Sequence, residues 1–224
     1  MYSPPETARF VWHMRRSVVP TTGRFTRFLP VIVTVLWGMF VFASIYMLNR
    51  YESTPGDPGT PVNEWPQKLP IVRQAGKMTL ITVVHPRCTC SKASFTELTR
   101  AIVAAPRSAD IHIVFYYPPH MLPESGDAEL VAMAKATPGI KVWFDHDGSM
   151  VNSLGVRTSF DVFLFDVTGK ILFRGGVTSG RGVYGENPSS AALVAYLRGE
   201  TAKPNHPVFG CPLRENTKNL KPGV

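Results

Sequence analysis

Cysteine is scarce in this chain: its 224 residues include only Cys88, Cys90 and Cys211. So few cysteines exclude a small fold that is held together by several disulfides. Two of them are separated by a single residue in the stretch "HPRCTCS", and the third lies far away in the tail. The number suits one redox pair with an additional thiol, or part of a metal site.

A concentrated basic surface is also missing. The net charge is +8, but residues 1–49 hold five arginines against one glutamate, which is half of that excess. The remaining 19 basic and 15 acidic residues are spread along the chain, with no patch of interleaved basic and aromatic residues. Proteins that bind nucleic acid usually carry such a patch. We therefore expect no nucleic-acid partner.

Charge is absent altogether from residues 29–48, "LPVIVTVLWGMFVFASIYML". About 20 apolar residues are enough to cross a bilayer as a helix. The run is longer than the apolar part of a typical secretory signal, and no A-x-A cleavage site follows it, which favours an uncleaved anchor. A buried core helix would show a polar side, and this run has none. We predict a single transmembrane helix over residues 29–48.

The arginines before this run predict its orientation. Positive residues flanking a span stay on the cytoplasmic side. Residues 1–28 would therefore form a basic cytoplasmic segment, and everything after residue 49 would lie outside the cytoplasmic membrane. In a Gram-negative bacterium this is the periplasm, which permits disulfides.

The exported part has three predicted regions. Residues 49–70 contain five prolines and predict an extended Pro-rich linker. Residues 71–200 alternate β-branched apolar runs with stretches of helical spacing, which indicates a folded domain. Residues 201–224 form an irregular tail that carries Cys211.

The alternation within residues 71–200 predicts an α/β domain with a central mixed sheet and helices on both faces. A Ser94/Glu97 pair resembles a capping box, and Asn187 followed by Pro188 is typical of a helix start. The expected strands are 77–84, 111–117, 140–145, 161–166 and 170–176, and the expected helices are 91–105, 126–139, 148–156 and 187–199.

Cys88 and Cys90 fall where the first strand enters the first helix. A helix N-terminus offers free N–H groups and the positive end of the dipole, which lowers a thiol pKa. His85 and Arg87 add possible positive charge. Two residues separated by one position do not share a helix face, so a Cys88–Cys90 bond would need irregular backbone. If the tail folds back, Cys211 can pair with either cysteine instead.

The element order, with "HPRCTCS" directly after the first strand, resembles the thioredoxin fold. The stretch "DHDGSMVNSLGVRTSFDVFLFDVTGKILFRGG" is similar to the second half of that fold, and the ending "FGCPL" is similar to membrane-anchored thioredoxin-like proteins of the RedB type. Two positions depart from the common pattern. C-x-C replaces C-x-x-C, and no proline stands near Phe160, where the resemblance implies a cis-proline facing the cysteines.

The resemblance implies a thiol–disulfide oxidoreductase that acts on exported proteins carrying thiols or disulfides. Cys88 would be the nucleophile, Cys90 or else Cys211 the resolving thiol, and His85 the group that tunes the thiolate. Phe160 and Arg181 are candidates for the cleft. No cofactor is required by this reading. Two alternatives stay open: a copper-handling protein that binds Cu(I) through the three thiols and His85, and a domain that only binds partners.

Overall fold

The computed structural model describes residues 24–105, 109–118 and 128–213. The chain divides into two compact units, residues 1–46 and residues 47–224. Most of the basic N-terminal segment predicted over residues 1–28 lies outside the described residues, as does the tail beyond residue 213.

A long apolar helix opens the described chain. Helix α1 runs over Arg24–Ser53, and its stretch Phe28–Ser53 is long and apolar enough to cross a membrane. The predicted span 29–48 lies inside it. Two of its hydroxyl groups are satisfied locally, since Thr34 and Ser44 donate to carbonyls four residues earlier at 2.9 and 2.8 Å. No polar group of these two side chains therefore has to be left unpaired in an apolar surrounding.

The described residues after helix α1 are built on one five-stranded sheet with the spatial order β3-β2-β1-β4-β5. Strand β1 pairs in parallel with β2, and β2 in parallel with β3. Strand β4 runs antiparallel to both β1 and β5, so the sheet is mixed, as predicted. The strands are β1 Met78–Val84, β2 Ala109–Tyr116, β3 Ile140–Asp145, β4 Asp161–Phe165 and β5 Ile171–Gly175.

Two apolar layers cover the two faces of this sheet. Helices α2, α3 and α5 pack on one face, around Leu98, Leu130 and Leu193. The other face is covered by helix α4 and by irregular segments, including Leu69 and Leu213. Fully burying a side chain of this size contributes about 1.5–3 kcal/mol. The helices are α2 Ser91–Ala104, α3 Ala128–Ala136, α4 Ser149–Ser153 and α5 Pro188–Leu197.

The two predicted helix starts have different outcomes. Asn187 caps α5 as expected, and its side chain accepts from the N–H groups of Ser189 and Ser190 at 3.0 and 3.1 Å. The capping box predicted at Ser94 is wrong, because α2 begins three residues earlier, with Cys90 as its N-cap and no side-chain cap bond. The Glu97 carboxylate instead accepts from the N–H of Gly185 at 2.9 Å.

The Pro-rich segment predicted as a linker lies along the domain. The N–H of Gly56 donates to the carbonyl of Val208 at 2.8 Å, and the N–H of Trp65 donates to the carbonyl of Gly169 at 2.7 Å. The Trp65 ring also packs edge-on against Phe165, with ring centroids 5.1 Å apart. Proline has no backbone N–H to donate, but the other residues of the segment do, and Gly56 and Trp65 use theirs to bond to the domain. Residues 56–71 thus act as a covering layer of the domain.

Candidate functional site: three thiols at a helix N-terminus

The tail returns to the start of helix α2. We call residues 208–213 the C-terminal strap. Its Leu213 N–H donates to the carbonyl of Arg157, and its Cys211 carbonyl accepts from the N–H of Ser159, both at 2.8 Å. Val208, Phe209 and Leu213 of the strap are buried. These contacts bring Cys211 to the site from more than a hundred positions away in sequence.

Gly210 allows the strap to approach this closely. A Cβ atom at this position would lie only 2.1 Å from the carbonyl oxygen of Ser159. Real side chains do not tolerate such a contact, so any larger residue would push the strap outward. The glycine directly before Cys211 is therefore a requirement of the local geometry.

The three cysteine sulfurs form one cluster. The Sγ atoms of Cys88 and Cys211 lie 2.8 Å apart. The Sγ atoms of Cys88, Cys90 and Cys211 all lie within 4.8 Å of one another. Cys88 is buried, with 4% of its surface exposed, whereas the other two are partly exposed. A disulfide between Cys88 and Cys211 needs only a small further approach of the two sulfurs.

A tight turn delivers the first two cysteines. Strand β1 ends at Val84, and the Cys88 N–H donates back to the His85 carbonyl at 3.0 Å. The Cys88 carbonyl in turn accepts from the N–H of Ser91 at 3.0 Å. Cys90 already has helical backbone, with φ −67° and ψ −22°. The non-helical backbone at this junction is therefore confined to the residues before Cys90.

The cluster separates the acidities of its thiols. Hydrogen bonding from Cys211, aided by Ser91, lowers the pKa of Cys88 from its ordinary value of 9.0 to about 5, although burial opposes the shift. The same contact, together with burial, raises the pKa of Cys211. Burial and the charge of Cys88 raise the pKa of Cys90. At neutral pH the site therefore holds one thiolate, on Cys88, and two thiols.

His85, predicted to tune the thiolate, bonds to Arg87 and Ser159. Its ring Nδ1 accepts from the backbone N–H of Arg87 at 3.3 Å, and its backbone N–H donates to the Ser159 hydroxyl at 2.9 Å. The Ser159 hydroxyl lies 3.2 Å from the hydroxyl of Ser91, and the Ser91 side chain hydrogen-bonds to Cys88 and helps to lower its pKa. Nothing in the sequence singles out Ser159 or Ser91, apart from their places next to Phe160 and Cys90.

Phe160, a candidate cleft residue, is 1% exposed and belongs to the core beneath α2 and α5. Its backbone has φ +66°, the left-handed region that few non-glycine residues adopt, and its N–H donates to the carbonyl of Val83 at 2.7 Å. Within the described ranges no peptide bond is cis. The position where the resemblance implies a cis-proline is thus filled by an inward-facing aromatic residue.

Arg181, the other candidate cleft residue, is attached to the strap. Its Nε donates to the carbonyl of Gly210, the residue before Cys211, at 3.1 Å. Its contact with the site therefore passes through the backbone of the strap.

Comparison with known proteins gives structural matches only, since neither a family model nor a curated protein matches the chain. A hypothetical protein from Sinorhizobium meliloti matches with a TM-score of 0.54 at 18% identity, over 69% of this chain and 96% of its own. An uncharacterized conserved protein from Geobacillus kaustophilus matches with a TM-score of 0.52 at 18% identity, over 77% and 95% of the two chains.

A further solved structure, the exposed lipoprotein thioredoxin of Streptococcus pneumoniae, matches with a TM-score of 0.39 at 17% identity, over 55% of this chain and 85% of its own. At these identities the first two matches bear on the fold alone. The sheet order and the placement of the cysteines after β1 agree with the arrangement expected from the sequence. The domain has a thioredoxin-like fold, with a C-x-C cysteine cluster at its first strand–helix junction, and the described residues also include an N-terminal apolar helix.

Proposed function

We propose that the protein is a membrane-anchored thiol–disulfide oxidoreductase in which Cys88 is the nucleophile and Cys211 is the resolving thiol. The observation that carries this proposal is the 2.8 Å separation of their sulfur atoms. The lowered pKa of Cys88 supports it, because the thiolate is the form of cysteine that attacks disulfides. Cys90 keeps its proton at neutral pH and remains a neighbouring thiol.

The exchange takes place in two balanced steps. The Cys88 thiolate attacks one sulfur of a partner disulfide, so that a mixed disulfide forms and the partner's other sulfur leaves as a thiolate that takes up a proton. Cys211 then loses its proton and attacks the Sγ of Cys88, which forms the Cys88–Cys211 disulfide and releases the partner's second thiol. Two electrons pass to the partner. The reverse sequence oxidises a partner dithiol.

The partners we propose are exported proteins with thiols or disulfides. The proposal places residues 1–28 in the cytoplasm and the domain outside, because five arginines and one glutamate precede the end of the apolar run at residue 48. In that placement the cysteines face an oxidising compartment.

The test uses the full chain in detergent, oxidised and then digested for mass spectrometry. We expect one disulfide per chain, joining Cys88 to Cys211, and one free thiol on Cys90. The Cys211→Ser variant is expected to trap a mixed disulfide with a model peptide, whereas Cys90→Ser should still release it. A reduced chain that resists oxidation, or a Cys88–Cys90 bond as the main product, would refute the proposed pair.

A second candidate function is copper handling, and the three sulfurs within 4.8 Å of one another favour it. Thiolates are the ligands that select Cu(I). Cys88, Cys90 and Cys211 would hold the ion, and among the described residues His85 does not belong to this cluster. Bound copper would supply a soft metal for delivery to another protein. One equivalent of Cu(I) that survives dialysis of the reduced full chain, and is lost in Cys211→Ser, would support it.

A further inference from the structure

We propose that Arg181 is a positioning residue that ties the C-terminal strap, and with it Cys211, to the last turn of helix α1. The inference rests on the proposed function, because it assigns Arg181 an effect on the pairing of Cys88 with Cys211. Arg181 touches neither sulfur. It acts on the backbone that carries one of them.

One guanidinium group joins two distant segments. Its Nε donates to the carbonyl of Gly210 at 3.1 Å, and its Nη1 donates to the carbonyls of Tyr51 and Thr54 at 2.7 and 2.5 Å. The guanidinium carbon also lies 4.8 Å from the centroid of the Tyr51 ring. The backbone N–H of Arg181 adds a bond to the carbonyl of Glu52 at 3.0 Å.

These contacts fit the needs of a helix end. The last carbonyls of a helix have no partner within the helix, and a cation at that end is favoured by the helix dipole. Arg181 meets both needs from another part of the chain. The planar guanidinium group holds its donors in a fixed fork, so it can bond to carbonyls on two sides at once. A lysine ammonium on its flexible stem does not fix the positions of two carbonyls in this way.

The strap is thereby fixed on both sides of Cys211. On one side, the Gly210 carbonyl is held by Arg181. On the other, the Cys211 carbonyl is held by the N–H of Ser159. Without the Arg181 bond, the Gly210 carbonyl is free to turn outward, and the Sγ of Cys211 spends less time beside Cys88. The effective concentration of Cys211 at the nucleophile then falls.

The experiment measures that effective concentration directly. The full chain in detergent, with Cys90→Ser in every sample, is equilibrated with glutathione buffers, and the ratio of Cys88–Cys211 disulfide to dithiol is read after acid quenching. The variants are Arg181→Gln and Arg181→Lys. Arg73→Gln is the matched control, because Arg73 also donates to backbone carbonyls, those of Val167 and Thr168 at 3.2 Å, away from the strap.

We expect Arg181→Gln to lower the equilibrium constant for disulfide formation about tenfold. Arg181→Lys should recover only part of this loss, and Arg73→Gln should leave the constant unchanged. An equal constant in Arg181→Gln and the parent, or an equal loss in Arg73→Gln, would overturn the role of Arg181. Absence of the disulfide in the parent chain would instead overturn the proposed function.

Discussion

The ionisation of Cys88 depends most strongly on a residue 123 positions away, so Cys211→Ala should change it. Hydrogen bonding from Cys211 is the largest cause of the low Cys88 pKa, which lies at about 5 instead of 9.0. At 1.36 kcal/mol per pKa unit, this shift corresponds to roughly 5 kcal/mol in favour of the thiolate. Removal of Cys211 leaves Ser91 and the local backbone N–H groups, while burial continues to favour the neutral thiol.

We expect the pKa of Cys88 to rise by about two units or more in Cys211→Ala. The thiolate fraction at pH 7 would then fall from about 99% to about 50% or less. The measurement is the ultraviolet absorbance of the thiolate, followed against pH in the reduced full chain with Cys90→Ser. This readout does not require a reagent to reach the buried sulfur.

Two controls limit the interpretation. Cys88→Ser should remove the absorbance step near pH 5, since that step belongs to Cys88. The Cys90→Ser parent should keep it, because burial and the charge of Cys88 raise the pKa of Cys90. A parent chain whose first thiolate appears only near pH 9, or a Cys211→Ala variant that still titrates near pH 5, would refute the reasoning.

Three further predictions concern the surroundings of the site. Gly210→Ala should weaken Cys88–Cys211 disulfide formation in glutathione buffers at least about tenfold, because the added Cβ would lie 2.1 Å from the Ser159 carbonyl oxygen. Gly38→Ala is the control and should have no effect, because its added Cβ would meet no neighbouring group within 4 Å. Phe160→Pro should lower the free energy of unfolding by about 3 kcal/mol or more in a denaturant titration, since proline cannot adopt φ +66°; an unchanged midpoint would contradict this. Burial raises the pKa of Asp161 to about 6, so the protonated carboxyl stabilises the fold at low pH, and this contribution is lost as the pH rises from about 4 to 6. The thermal midpoint of Asp161→Asn should lack that pH dependence, and an identical pH profile in both chains would refute the prediction.

The strands of the sheet and the position of the C-x-C motif after the first strand could be predicted from the sequence. Strand β3 was predicted with its observed bounds, 140–145, and β4 within one residue. Both runs are short, apolar and bounded by turn residues, so local pattern decides their structure. The same holds for α5, whose Asn187 and Pro188 mark its start.

The sequence could not decide whether Cys90 or Cys211 is the partner of Cys88. Local chemistry indicates that Gly210 and Pro212 favour a turn in the tail, but it does not say where the tail packs. That is decided by Leu213, which enters the core, and by two backbone hydrogen bonds to the loop before β4.

The environment of His112 could not be predicted from the local pattern either. It alternates as a simple strand residue, yet it is buried and bonded to Asp110 and Trp143 at 2.9 and 3.0 Å.

The long sequence separation of Cys88 and Cys211 has a thermodynamic consequence for the whole domain. A bond between them would close a loop of 123 positions, which includes every strand from β2 to β5. Loop-closure entropy predicts that such a cross-link stabilises the fold by about 5 kcal/mol. Each turnover would then alternate the domain between a cross-linked form and an open form of lower melting temperature. Partner reduction and fold stability would be linked equilibria, so the midpoint of thermal unfolding would report the redox state of the compartment.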